Sequence, residues 1–194
     1  MSTPTPNKFS QSNAFAMWHG LMLGMYEIVL FAMGVYGISH PTMSLLQSVG
    51  MIVLAVLPFL LTQRFRRLIG DKVTPFTFSQ GFSHTLLTVI YAAFWLSLSV
   101  WVYFSYIDHG FLCDSYLARL QSPEMIDYMK TSGLTEEIAM LTDGRTPADV
   151  VEMMRDITPV DYASMALSLS FIVSVPVSLL AGIIYKRKGQ TSQQ

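Results

Sequence analysis

Four long apolar stretches divide the chain, and each is long enough to cross a membrane as a helix. They cover about residues 14–38, 43–62, 82–107 and 163–185. A hydrocarbon core of about 30 Å is crossed by about 20 helical residues, so the pattern predicts four transmembrane helices. Since only residues 39–42 separate the first two stretches, these helices should form an antiparallel hairpin. The predicted fold is an all-α membrane protein, residues 1–194 forming a single domain of two in–out–in hairpins.

A polar stretch, residues 108–161, separates the third and fourth helices and carries the signals of several short helices. Ser, Thr and Pro stand where helices begin, and glycines stand where they end. The starting residues are Ser122, Thr135, Thr146 and Thr158, and the ending ones are Gly133 and Gly144. We name residues 108–161 the outer segment, and we expect it to form a helical cap of about fifty residues.

Charge supports a membrane location and gives the orientation. The chain is 52% hydrophobic and only 13% charged, against roughly 25% charged residues in a soluble domain. The outer segment holds eleven acidic and four basic residues, whereas the other eight basic residues all fall on one side of a four-helix topology. Lysine and arginine favour the cytoplasmic side, so both termini are predicted to be cytoplasmic and the outer segment outside. An anionic lipid surface would repel so acidic a segment. We therefore expect it to fold onto the bundle or a partner protein.

One carboxylate, Glu27, lies near the middle of the first apolar stretch. It shares a stripe of about 80° with small residues, Gly20 and Gly24 among them, and such a face favours contact with another helix. An acidic residue at this depth costs roughly 2.5–3.5 kcal/mol on insertion scales. No lysine or arginine occurs in the four stretches, which excludes an ion pair within the bundle. We expect Glu27 to be mostly protonated at neutral pH unless water reaches it.

Neutral partners for Glu27 are available on the third and fourth helices. Small residues recur every fourth position of helix four, and polar or aromatic residues share one face of helix three. The members considered are Ser170 and Ser174 on helix four, and Tyr91, Trp95 and Ser99 on helix three. We predict that the glycine stripe of helix one packs on the serine row of helix four, with Glu27 hydrogen-bonded to one of these groups. Glu27 is then either a structural contact, within the bundle or between subunits, or a proton or cation site.

No pattern in the chain indicates catalysis, a metal or a cofactor. His19 and His84 are predicted near the cytoplasmic side, but no metal-binding spacing joins them, and we interpret them as interfacial histidines without a ligand role. The single cysteine, Cys113, excludes an internal disulfide and a cysteine-based metal site, and we expect it at the start of a helix. Phosphate-binding glycine loops, the nucleophile elbow and the zinc protease pattern are absent from the sequence.

Several short polar marks resemble one known family. They are the segment Thr74-Pro75-Phe76-Thr77-Phe78-Ser79-Gln80-Gly81-Phe82, the end of helix three at Tyr106-Ile107-Asp108, the acidic helical excursion, and the final Lys186-Arg187-Lys188. In these features the chain resembles an uncharacterised family of bacterial membrane proteins called domain of unknown function 4199. The resemblance implies four helices in a bacterial inner membrane, and it supplies no activity and no functional residues.

The sequence favours a non-enzymatic membrane protein that acts through association. Its expected partners are the lipid bilayer and either further copies of itself or another envelope protein, with no role for nucleic acid. The alternative is a small transporter or channel-like protein that works through Glu27, with helix bends at Pro58 and Pro176 as moving parts.

Overall fold

The computed structural model describes residues 8–69 and 75–186, and all regular structure in these ranges is helical. The helices are α1 (Lys8–Gly37), α2 (Pro41–Ile69), α3 (Phe78–Tyr106), α4 (Phe111–Leu120), α5 (Pro123–Ser132), α6 (Leu134–Leu141), α7 (Pro147–Met153) and α8 (Pro159–Tyr185). By length and composition, α1, α2, α3 and α8 can each cross a membrane. This confirms the predicted all-α fold with four transmembrane helices.

The transmembrane helices extend beyond the apolar stretches that predicted them. α3 begins at Phe78 because Thr77 caps it: the Thr77 Oγ1 accepts from the Gln80 amide, and the Gln80 Oε1 accepts from the Thr77 amide. α2 continues to Ile69 through its arginines. Lipid surrounds only the middle part of a transmembrane helix, so only that part must be apolar. The polar turns at its ends are therefore not recognised when a helix is predicted from the length of its apolar stretch.

The short helices of the outer segment begin and end close to the predicted residues. Ser122, Thr146 and Thr158 are N-caps, and each accepts a hydrogen bond from the backbone three residues ahead. Gly133 ends α5 in the left-handed region, with a φ of 71°, and it also precedes α6, which therefore starts at Leu134 rather than at Thr135.

Helix α3 is the centre of the bundle and packs against α8, α1 and α2. It is antiparallel to α8: Gly81 lies beside Gly182, and at the other end the Ser97 hydroxyl donates to the Ala163 carbonyl at 2.8 Å. α1 and α2 form the predicted hairpin, in which the Tyr26 hydroxyl donates to the Gly50 carbonyl at 2.9 Å.

The predicted packing of α1 on α8 is wrong, because the glycine stripe of α1 lies on α3. A Cβ on Gly20 would overlap Tyr91, and one on Gly24 would lie 3.0 Å from the Cβ of Trp95. α3 has several small buried residues, which are Gly81, Thr85, Thr88, Ala92 and Ala93. α8 contacts α3 at Gly81, whereas α1 contacts it further along, at Thr88 and Ala92. The small-residue rows of α1 and α8 therefore both meet α3 instead of each other.

Candidate functional site

Glu27 lies on the side of α1 that faces the outer half of α3. The preceding turn, at Gly24, contacts Trp95, and the following turn places the Phe31 ring edge-on to Tyr103, with centroids 5.4 Å apart. This register sets Glu27 level with about Ser99 of α3. The Oε2 of Glu27 is buried and has no hydrogen-bond partner among the described residues. A buried polar oxygen without a partner is unusual in a folded protein and calls for a physical explanation.

The serines predicted as partners of Glu27 are bonded elsewhere. The Ser170 hydroxyl donates to the Ala166 carbonyl at 2.9 Å, and the Ser174 hydroxyl donates to the Phe171 carbonyl at 2.7 Å. A helical serine in apolar surroundings satisfies its hydroxyl on its own helix in this way. The antiparallel register also places Ser174 near Val89, about 15 Å along α3 from the level of Glu27. The predicted bonds from Glu27 to Ser170 or Ser174 are therefore wrong.

The three residues predicted on α3 lie close to α1 but make no hydrogen bond with Glu27. The Tyr91 hydroxyl donates to the Asn13 Oδ1 at 2.8 Å, and Asn13 lies about four turns of α1 from Glu27, toward the end of the bundle where the basic residues lie. Trp95 and Ser99 line an apolar groove of about 780 Å³ between α1 and α3, whose other walls include Ile28, Leu98 and Tyr103. Glu27 is not among the residues that line it. The residues predicted around Glu27 therefore do not form one site: Tyr91 bonds to Asn13 of α1, whereas Trp95 and Ser99 line the groove.

A polar cluster that the sequence did not predict lies where α1, α2 and α3 meet. The His19 Nδ1 is 2.9 Å from the His84 Nε2, and the Thr62 Oγ1 is 3.1 Å from the His84 Nδ1. Thr62 is also 2.7 Å from the Thr85 hydroxyl, which donates to the Gly81 carbonyl at 2.8 Å. His84, Thr62 and Thr85 are fully buried, and His19 is 5% exposed. His19 and His84 were placed at the same end of the bundle from the sequence, but their contact with each other was not predicted.

Aromatic rings enclose this cluster. The Phe65 ring stacks on His84 with centroids 4.2 Å apart and planes 7° from parallel, and Phe15 and Phe76 pack on the Phe65 ring. These rings exclude water and strengthen each hydrogen bond inside the cluster. The sequence signal was weak: His19, Thr62 and His84 share a depth, but depth does not say which faces meet.

The two histidines are too close for a metal ion between them. Each nitrogen of a zinc site lies about 2.0–2.1 Å from the metal in tetrahedral geometry, which requires the nitrogens to be further apart than a hydrogen bond. Within the described ranges, no group of three or more histidine, cysteine, aspartate or glutamate side chains is placed to hold a metal ion. The cluster is thus organised by hydrogen bonds.

The base of the outer segment is built around Asp108. The Asp108 carboxylate accepts from the Tyr103 hydroxyl at 2.8 Å and from the amides of Gly110 and Leu112. Further along, Arg155 pairs with Asp114 at 2.6 Å and with Glu152. These bonds attach α4 to the end of α3 and to the short turn after α7.

The distal part of the outer segment exposes large apolar side chains. α5, α6 and α7 have no buried residue, and on α6 Met140 is 82% exposed and Leu141 is 79% exposed. Neither residue lies in one of the four membrane-spanning helices. This exposure therefore lies outside the helices that lipid tails are expected to surround.

Comparison with other proteins identifies a family. No significant match occurs among proteins of curated function or among solved structures. A family model described as "Protein of unknown function (DUF4199)" matches residues 18–187, from the middle of α1 to just beyond α8. Since this match covers most of the chain, the protein belongs to the DUF4199 family.

Proposed function

We propose that this protein is a non-enzymatic association protein of the bacterial cytoplasmic membrane. Its termini lie in the cytoplasm, and its outer segment binds another envelope protein. The observation that carries the proposal is the exposure of Met140 and Leu141 on α6, outside the membrane-spanning helices. The charge asymmetry supports the orientation, because the basic residues cluster at one end of the bundle and the acidic ones in the outer segment.

The short helices favour a protein partner over the lipid surface. α5, α6 and α7 have ten, eight and seven residues, and helices of this length are marginal without tertiary packing. Their acidic side chains, including Glu136 and Glu137 in the first turn of α6, oppose contact with anionic lipid. A partner surface with an apolar centre and basic rim would cover the apolar residues and complement the acid.

A site-specific photo-crosslink tests this proposal in native membranes. A photoreactive residue at Met140 should capture one defined partner species, and the same residue at Thr131, on exposed α5, should capture less. The double substitution Met140→Ser, Leu141→Ser should remove that partner from the purified complex and leave the bundle folded. Equal capture at both positions, or none at Met140, would contradict the proposal; capture of a second copy would assign the surface to self-association.

A second candidate function is a small transporter or channel-like protein that uses Glu27. The observation that favours it is the buried Glu27 Oε2, which has no partner among the described residues and could receive a proton or cation. Flux measured in proteoliposomes under a pH gradient tests it, with Glu27→Gln as the variant and Glu27→Asp as the control that keeps the carboxyl. Equal flux in the wild type and Glu27→Gln excludes this function.

A further inference from the structure

We propose that His19 and His84 form a proton-binding site at the basic end of the bundle, the end where α2 and α8 reach Ile69 and Tyr185. The ligand is a single proton, and its binding loosens the junction of α1 with α2 and α3. This site is separate from the outer segment and from Glu27, so it goes beyond both proposed functions.

The hydrogen bonds of the cluster determine where its protons lie. The Thr85 hydroxyl has one hydrogen, which it donates to the Gly81 carbonyl, so Thr62 must donate to Thr85. Because the Thr62 hydroxyl has only this one hydrogen, its Oγ1 must accept a hydrogen bond from the His84 Nδ1. A neutral His84 therefore carries its hydrogen on Nδ1.

The same reasoning shows which ring nitrogen of His19 carries the hydrogen. With its hydrogen on Nδ1, His84 accepts through Nε2, so the His19 Nδ1 must be the donor of the 2.9 Å bond. Every hydrogen in the chain now points from His19 toward Gly81. The remaining basic lone pair of the cluster is on the His19 Nε2, which makes no hydrogen bond to another described residue.

A proton can enter this series of hydrogen bonds at His19 but cannot leave it at the other end. A proton from water that binds the His19 Nε2 allows the Nδ1 hydrogen to move across the short bond to the His84 Nε2. His84 then holds hydrogens on both nitrogens, and its Nδ1 still donates to Thr62. Beyond Thr62 the chain ends on Thr85 and the Gly81 carbonyl, which has no hydrogen to pass on. The geometry is that of a binding site with one opening, not of a conducting path.

The surroundings tolerate the extra charge only in part. The Phe65 ring stacked on His84 gives a cation–π contact to an imidazolium. Arg64 of α2 opposes protonation, because its positive charge repels a positive charge on His19. Arg66 lies over the Tyr185 ring of α8, 5.9 Å from its centroid. Among the described residues, no carboxylate bonds to either histidine. The charged pair therefore gains from contact with water, which it reaches when α1 moves away from Phe65 and Thr62.

Nitrogen NMR of the histidine rings, in the full-length protein in lipid nanodiscs, tests the assignment. At pH 8 both rings should be neutral, with hydrogen on the Nδ1 of His19 and of His84. Acidification to pH 5 should protonate the pair once, and the signals of both rings should move together. His84 protonated on Nε2 at pH 8, or ring signals of the pair that do not move between pH 8 and pH 5, would overturn the proposal.

Thermal unfolding supplies a second readout that does not need NMR assignment. Unfolding exposes both histidines, which bind two protons below about pH 6.5, whereas the folded pair binds one. The unfolding constant should therefore rise by up to about tenfold per pH unit once the folded pair is protonated. The variant His19→Gln exposes one histidine, His84, and lacks the entry nitrogen, so its unfolding constant should rise equally steeply. His19→Gln is preferred to a change at fully buried His84, which risks misfolding. A rise in the wild type of up to about a hundredfold per pH unit, steeper than in folded His19→Gln, would mean that the folded pair binds no proton and would contradict the proposal.

Discussion

Gly81 of α3 and Gly182 of α8 meet where the two antiparallel helices cross. A Cβ on Gly81 would lie 3.2 Å from the Cα of Gly182, and a Cβ on Gly182 would lie 2.7 Å from the Phe78 ring. Only glycine allows two backbones to approach this closely. The contact joins α3 and α8, the two helices with the most extensive contact in the described part of the chain, at the basic end of the bundle.

A large side chain at this crossing should separate α3 from α8. We expect Gly182→Leu to lower the free energy of unfolding by about 1–3 kcal/mol, because the added atoms meet Phe78 and the α3 backbone. Thermal or denaturant unfolding in detergent measures the change. Ile183→Leu, at an exposed position beside it, is the matched control and should unfold like the wild type.

The contact between Gly24 and Trp95 predicts a disulfide that distinguishes the two possible neighbours of α1. In a Cys113→Ser background, the pair Gly24→Cys and Trp95→Cys should cross-link on mild oxidation, because its Cβ atoms lie close together. The pair Gly24→Cys and Ser174→Cys, which represents the α1–α8 packing, should remain reduced. Gel mobility after oxidation reports the result, and the reverse outcome would restore that packing.

The unpartnered oxygen of Glu27 makes an apolar replacement favourable. Glu27→Leu removes a buried polar group that no described residue satisfies, so it should raise the free energy of unfolding by about 1–3 kcal/mol. Glu27→Gln keeps a polar group at the same place and should gain little. Unfolding of both variants in lipid nanodiscs is the measurement. A clear loss of stability in Glu27→Leu would mean that water, an ion or another chain satisfies the carboxyl.

The helices were predictable from sequence because the signals that form them are local. The lengths of the apolar stretches predicted four transmembrane helices. The capping patterns at Thr146 and Thr158 predicted where two further helices begin, and the structure has helices that begin there. The hairpin of α1 and α2 followed from its short turn. Each of these features depends on neighbouring residues, so one chain was enough to find it.

The pairing of helix faces was not predictable in this way. A stripe containing Gly20 and Gly24 says which side of α1 packs, but three helices offer small residues that could receive it. His19 and His84 were assigned to the same end of the bundle, yet their contact depends on how α1 and α3 are rotated and on Phe65 covering them. Rotation about the helix axis is a tertiary property that periodicity in one chain leaves open.

The capping box of α7 predicts a pH dependence in the outer segment. Hydrogen bonds from the Thr146 hydroxyl and amide lower the pKa of Asp149 below its ordinary value of 3.8. The carboxylate form thus stabilises α7 above pH 3.8, and this stability is lost as the pH falls through the folded pKa. Carbon NMR of the carboxyl should show the pKa return toward 3.8 in Thr146→Ala and stay low in Thr146→Ser. The same pKa in all three proteins would contradict the capping bond.

Cys113 is 4% exposed at the start of α4, and burial raises the pKa of its thiol, so it should react slowly with a maleimide. A topology test by labelling therefore needs exposed positions in a Cys113→Ser background. In intact cells a membrane-impermeant maleimide should label Ser132→Cys, on α5, within a time in which it leaves Cys113 of the wild-type protein unmodified. Lys186→Cys, beyond α8, should be labelled only after permeabilisation, because the proposed orientation, which follows from the excess of basic residues, puts that end in the cytoplasm. Labelling of Lys186→Cys in intact cells, with protection of Ser132→Cys, would reverse the orientation and place the outer segment in the cytoplasm.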